Sequence, residues 1–345
     1  MRARSSVWVV IGALLMLSLL ELVLRFLPVN TGPQQVDGGG ADTVENYRPN
    51  SEFTWSRDWD FLYARHGTVN QLGYPGVCSL SNDAEHGAWV FGDSFVETVM
   101  TEPGQTFSGQ VAAAQPEMKV CALGMSGASA PEYLAMLDFV SQRGKARHWI
   151  IVLTEGDFAE AYTARAGLHY FARSADGRLS LAGDKYHRGW AVKVLASSRL
   201  LQYLNYNLGF KEQLLRRFHC IFSVDGCAKG KSADAHFPLK VADEAALAFA
   251  DQLAGRAQQL GAKPIIVLNH FRRTESAQET AERRQHWLDV TAMMQARGFR
   301  VIDALDVMPD SDSGGCNGTP CVLFRDRHWT PAGSKALMTA IGPLH

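Results

Sequence analysis

Five short apolar runs, at 88–91, 119–123, 148–153, 264–268 and 299–302, recur along the chain. Each is bounded and too short for a buried helix, so each reads as a strand. Stretches with helical spacing of apolar residues accompany them, at 105–114, 131–142, 242–260, 277–297 and 331–341. Strands that are apolar on both faces belong in a parallel sheet covered on either side by helices. Right-handed crossovers between them build an α/β domain, a three-layer αβα sandwich on a five-stranded parallel sheet. Such sheets bind ligands beyond the carboxyl ends of their strands.

The first run stops at Gly92, and Asp93, Ser94 and Phe95 follow. That puts the Ser94 hydroxyl on the ligand-facing edge, just before a helix whose first backbone N–H groups are free to hold negative charge. Gly, Asp and Ser are also common turn residues, so the triplet needs partners. They lie near the C-terminus, where Asp326 and His328 precede Thr330-Pro331. Thr before Pro marks a helix start. A loop His held there can take the Ser94 proton, while Asp326 bonds the other ring nitrogen and fixes the tautomer. Asp157 follows the third run, and Asn269 and His270 follow the fourth. All three are expected at the same edge as substrate-binding groups, and Asp93 is expected to bond the turn backbone. No Gly-x-Ser-x-Gly elbow surrounds Ser94, and no phosphate-binding glycine loop ends a strand.

This combination resembles the SGNH (GDSL-type) hydrolase superfamily from about residue 69 to the C-terminus. GDSF at 92–95 looks like the block that carries the nucleophile, and VCALGMSGAS at 120–129 like the second, with Gly127 as its oxyanion glycine. LTEGDF at 153–158 occupies the third block, usually Gly-x-Asn-Asp, with Gly156 where the Asn stands. DRHWTPAG at 326–333 looks like the last. TVNQLGYPG at 68–76 and LLELVLRFL at 19–27 are similar to a membrane-tethered branch. The resemblance implies a flavodoxin-like sheet and a carboxylic ester hydrolase with Ser94, His328 and Asp326 as triad. Its oxyanion hole would come from Ser94 and Gly127, with the Gly156 N–H, or a side chain such as Asn269 or Asp157, in place of the usual Asn. It implies no cofactor or metal. Relatives of this layout remove or transfer O-acyl groups on cell-envelope polysaccharides, so the implied substrate is an acylated carbohydrate or another ester. A membrane acyltransferase is the implied protein partner. Two rival readings stay open: a polysaccharide O-acyltransferase with the same triad, and a catalytically weak polysaccharide-binding or assembly protein, suggested by Gly156.

Residues 7–20 are almost continuously apolar and the stretch runs on to Leu27, with Arg2 and Arg4 before it. That charge bias retains the N-terminus in the cytoplasm and exports the rest. Residues 1–28 are read as an uncleaved signal anchor in the inner membrane, with a cleaved signal peptide as the alternative, 29–52 as a flexible linker, and 53–345 as the hydrolase-like domain in the periplasm. Glu21 and Arg25 are spaced to pair along the anchor helix. A net charge of −1 gives no sign of a nucleic-acid partner.

Residues 158–240 interrupt the α/β alternation, and apolar spacing within 190–218 suggests one or two helices capping the carboxyl edge of the sheet. Six cysteines suit an oxidising compartment. Cys220 with Cys227 and Cys316 with Cys321 flank short loops that a disulfide can close. Cys121, in an apolar run, reads as a buried thiol, with Cys78 free or paired to it.

Overall fold

The computed structural model describes residues 2–40, 43–210, 239–269, 277–308, 315–323 and 325–344. The chain divides into two compact units. A sheet unit holds Gln35–Ser51, Thr68–His187 and His236–His345, and a helix unit holds Met1–Gln34, Glu52–Gly67 and Arg188–Ala235. The longer helices are α1 (Arg2–Leu24), α2 (Phe107–Ala114), α3 (Ala130–Ser141), α4 (Trp190–Ser197), α5 (Leu239–Leu260), α6 (Ala277–Ala296) and α7 (Pro331–Ile341).

In the sheet unit, β1 (Gly87–Gly92), β2 (Lys119–Gly124), β3 (His148–Thr154), β4 (Lys263–Asn269) and β5 (Arg300–Asp303) form one sheet in the order β5-β4-β3-β1-β2. Every pairing is parallel. This is the expected flavodoxin-like order, and the winding reverses between β1 and β3. Strands β1 and β3 are buried along their whole length, which explains their unbroken apolar reading. Trp89 and Trp149 stack across the pair with ring centroids 6.1 Å apart. Each such buried side chain contributes about 2–3 kcal/mol.

Beyond β1, the chain turns at once into the short helix Ser94–Glu97, which lies on the end of β2. A Cβ at Gly124 would stand 2.2 Å from the Glu97 backbone nitrogen, so only glycine permits this approach. The helix α2 begins at Phe107 rather than at 105, because Thr106 caps it by accepting from Gly109 N–H at 3.0 Å.

The outer border of β2 is covered by the segment before β1. Ser79 N–H donates to Val120 O at 2.8 Å, and Ala122 N–H donates to Val77 O at 2.9 Å. A Cys78–Cys121 disulfide crosses this pairing. Cys121 is therefore bonded rather than a lone buried thiol. The expected Cys316–Cys321 bridge is present, and Cys220 and Cys227 lie outside the described residues.

The expected linker is not free chain where the structure describes it. In the helix unit Val29 and Asn30 are buried. Asn30 N–H donates to Asn207 Oδ1 at 3.0 Å, and its side chain donates to Ser56 O at 2.8 Å. In the sheet unit Val44, Glu45 and Tyr47 are buried, and Tyr47 N–H donates to Gly73 O at 2.8 Å. The polar composition concealed these contacts because their partners are distant in sequence.

Residues 169–183 lie in the first half of the 158–240 segment. His169–Arg173 and Leu179–Gly183 pair as an antiparallel hairpin, turned at Asp176-Gly177 with Gly177 at φ 81°. That Asp-Gly pair is a hairpin signal. The helices expected to cap the sheet begin with α4 and Arg199–Gln202, which belong to the helix unit; residues 211–238 lie outside the described residues.

Glu45 gives the sheet unit a pH dependence. Its carboxyl is buried, Oε1 has no hydrogen-bond partner among the described residues, and burial, with the charge of Glu132, pushes it up to about 7 from a usual 4.5. The folded state then binds this proton more tightly than the unfolded state. Its contribution is full below about 4.5 and is lost as pH rises through about 7. Glu45→Gln is expected to flatten the fall in Tm across that window, which thermal unfolding at a series of pH values measures.

Candidate active site

The turn after β1 aims Ser94. Asp93 caps the short helix by accepting from Phe95 N–H at 2.9 Å, as expected of it. Its other carboxyl oxygen accepts from the Thr154 hydroxyl at 3.4 Å, tying the ends of β1 and β3 together. Burial pushes Asp93 up to about 6.

His328 reaches Ser94 across 234 residues of sequence. The Ser94 hydroxyl lies 2.8 Å from His328 Nε2, and His328 Nδ1 is hydrogen-bonded to Asp326 Oδ1. A carboxylate on Nδ1 places the ring proton there and leaves Nε2 as acceptor for the hydroxyl. The Asp326 side chain is 3% exposed and that of His328 18%, so the carboxylate is shielded while the imidazole is accessible.

The loop that holds this pair is under backbone strain. Arg325 and Arg327, on either side of Asp326, adopt φ of 64° and 72°. Non-glycine residues in that region cost about 1–3 kcal/mol each and persist only where surroundings impose them. Arg327 N–H donates to Leu323 O at 3.0 Å and Leu323 N–H donates to His328 O at 2.7 Å. Below them, Trp329 is buried against Phe95 and Phe107, with centroids 5.0 and 5.5 Å away. Phe95 also packs on the His328 ring at 4.7 Å. Thr330 caps α7, and its N–H donates to Cys321 O at 2.8 Å inside the disulfide-closed loop.

Ser94, Gly127 and Gly156, the expected oxyanion residues, follow the ends of β1, β2 and β3. Ser94 and Gly156 each open a short helix, and Gly127 lies in the turn after β2 at φ 81°. None of their backbone N–H groups donates to another described residue. Two groups around the Gly127 turn were not legible from motifs. Glu97, fully buried, accepts from both Ser126 N–H (3.1 Å) and the Ser126 hydroxyl, and from the Tyr47 hydroxyl. Burial pushes Glu97 above the usual carboxylate range, while these hydrogen bonds and the charge of His328 oppose it. Arg165 donates to Gly127 O at 3.2 Å and pairs with Glu160 at 2.8 Å. Glu97 anchors the turn through Ser126 and Arg165 through the Gly127 carbonyl.

Of the expected substrate groups, Asp157 lies inside. Thr154 N–H (2.7 Å) and the Tyr133 hydroxyl (2.9 Å) occupy its carboxylate, and burial with the neighbouring Asp93 charge raises it well above the usual range. Asn269 is buried too, accepting from Trp329 Nε1–H at 3.2 Å. It supports the residue after His328 rather than facing solvent. His270 lies outside the described residues. No cluster of three or more metal-ligating side chains occurs among the described residues.

No family model matches the chain, and no curated protein matches it. Solved structures of similar chains do match. One is a member of the lipolytic protein G-D-S-L family from Veillonella parvula, 11% identical, covering 73% of this chain and 94% of that chain with a TM-score of 0.40. TesA is 12% identical over 75% of this chain and 97% of that one, with a TM-score of 0.41. A catalytic mutant of Axe2, an acetylxylan esterase from Geobacillus stearothermophilus, is 11% identical over 77% and 94%, with a TM-score of 0.39.

Proposed function

We propose that the chain is a serine carboxylic-ester hydrolase of SGNH type, held at a membrane by α1 and acting outside the cytoplasm on O-acyl esters of cell-envelope carbohydrate. The observation that carries the reading is the hydrogen-bonded line Ser94–His328–Asp326, assembled from both ends of the sheet unit. Ser94 Oγ attacks the ester carbonyl as His328 Nε2 accepts its proton. The N–H groups of Ser94, Gly127 and Gly156 receive the oxyanion. His328 then gives the proton to the leaving alcohol, and water repeats the sequence to free Ser94 and release the acid.

Membrane attachment is supported by Val7–Leu24, an 18-residue stretch of mean hydropathy 2.6 that is long and apolar enough to span. Export is supported by Arg2 and Arg4 before it and by the two disulfides. The carbohydrate ester rests on the motif resemblance.

The test is labelling with a fluorophosphonate, followed by aryl esters of varied chain length and acetylated glycans, with and without a sugar acceptor. Labelling that vanishes in Ser94→Ala supports the enzyme. Folded protein that never labels favours the binding protein, and acyl transfer to added sugar over hydrolysis favours the transferase. Gly156 offers a second check. A Cβ there would meet nothing closer than 3.7 Å, so a side chain can start from this position without a clash. One oxyanion donor is worth about a hundred- to a thousand-fold. Gly156→Asn is expected to raise kcat on aryl esters by about tenfold or more, the backbone donors already supplying part of that term.

A further inference from the structure

Helix α4 is apolar yet has no buried residue. Trp190 is 79% exposed, Val192 37% and Val194 48%. It is not alone. Of the large apolar side chains exposed beyond α1 among the described residues, Phe26, Leu27, Trp59, Trp190, Val192, Val194, Leu201, Tyr206 and Phe210 belong to the helix unit. Only Leu247, Leu260 and Leu288 belong to the far larger sheet unit. Exposed apolar surface concentrated this way marks a contact surface.

What covers it follows from its attachment to α1. Glu21, in the last turns of α1, accepts from the Ser198 hydroxyl at 2.8 Å, from Arg199 N–H at 3.2 Å and from Leu200 N–H at 2.9 Å. Arg25 Nε–H donates to the same carboxylate at 3.1 Å. These bonds fix the junction between α4 and Arg199–Gln202 at the level of Glu21. Glu21 precedes the end of α1 by three residues, about 4.5 Å of rise. The apolar stretch of α1 is about 27 Å long, close to the thickness of a bilayer core, so Glu21 stands just inside its outer boundary. The Asn30–Ser56–Asn207 hydrogen bonds fasten the exit of α1 to the rest of the same unit.

We infer that α4 lies in the outer interface of the bilayer that α1 spans, with Trp190, Val192 and Val194 immersed at the boundary between headgroups and acyl chains. Amphipathic helices settle about 5–10 Å into that zone. Trp favours the interface, and Lys193 on the same helix can extend its ammonium toward the headgroups. The occupant is lipid because the patch continues an apolar helix whose own side chains are exposed along nearly all of its length. The consequence is a protein held at two points, with the helix unit seated on the membrane rather than suspended above it.

The inference rests on α1 being the membrane anchor, and the test separates the two. The full chain is reconstituted at low density into phosphatidylethanolamine–phosphatidylglycerol liposomes that carry brominated phosphatidylcholine. Wild type is compared with Trp190→Phe and with Trp8→Phe. Trp8 lies within α1, and neither residue is buried, so both variants keep the fold. The expected result is that the Trp190 difference emission is blue-shifted and largely lost when bromine sits near the headgroup end of the acyl chain. The Trp8 difference is quenched as well. Quenching at Trp8 with none at Trp190 overturns the inference and leaves the anchor standing. A blue-shifted but unquenched Trp190 also overturns it, assigning the patch to a second copy or to another segment of this chain. Quenching at neither overturns both.

Discussion

Ser94→Ala and His328→Ala are each expected to lower kcat on an aryl ester by about a hundred-thousand- to a million-fold, and the double variant is expected to fall no further. The reason is geometric. The hydroxyl and Nε2 stand 2.8 Å apart and act as one device, since the hydroxyl is a weak nucleophile unless its proton can leave as it attacks. Removing either partner removes the whole attack, while the backbone donors around Gly127 and Gly156 persist and sustain a residual rate. Single-turnover kinetics with the double variant alongside the two single ones measures this. A double variant slower than both by the product of their losses would mean that serine and histidine act in separate steps.

Asp326→Asn is expected to lower kcat by about ten-thousand-fold with little change in stability. The amide keeps the size and the buried seat of Asp326. However, its NH2 can donate to Nδ1, which selects the tautomer with the proton on Nε2, so that Nε2 no longer accepts from Ser94. The pair is held by a loop with left-handed residues on both sides, so the ring has little freedom to compensate. Stopped-flow acylation with a matched unfolding curve checks both halves. A loss below about tenfold would mean that the loop backbone alone orients the imidazole, since removal of the correct tautomer costs far more than that.

The sheet was legible because its strands are buried on both faces, and burial leaves an unbroken apolar signature at 88–91 and 148–153. The meeting of Ser94, Asp326 and His328 was legible because two short motifs far apart in the chain carry residue types that make chemical sense together. The supports of the site were not. Tyr47 touches Glu97 across 50 residues, and Ser126 touches it across 29. No local period or spacing records such a pairing. Asp157 and Asn269 were placed at the correct strand ends, yet their side chains turn inward to Thr154, Tyr133 and Trp329. Strand position is read from periodicity, while side-chain direction at a strand end depends on neighbours that belong to other strands. The segment at 43–47 looked like spacer because polar residues dominate its surroundings, but Val44 and Tyr47 supply enough apolar surface to seat it.

The cross-link between Cys78 and Cys121 makes the solubility of this fold a matter of redox chemistry. The terminal strand of a sheet is a template for adding further strands, and here a covalent clasp keeps the covering segment in place. A chain made where thiols stay reduced would keep its triad but could shed that cover, leaving amide and carbonyl groups free to recruit another molecule. Inclusion bodies, rather than a sluggish enzyme, would then be the first sign of synthesis in a reducing compartment.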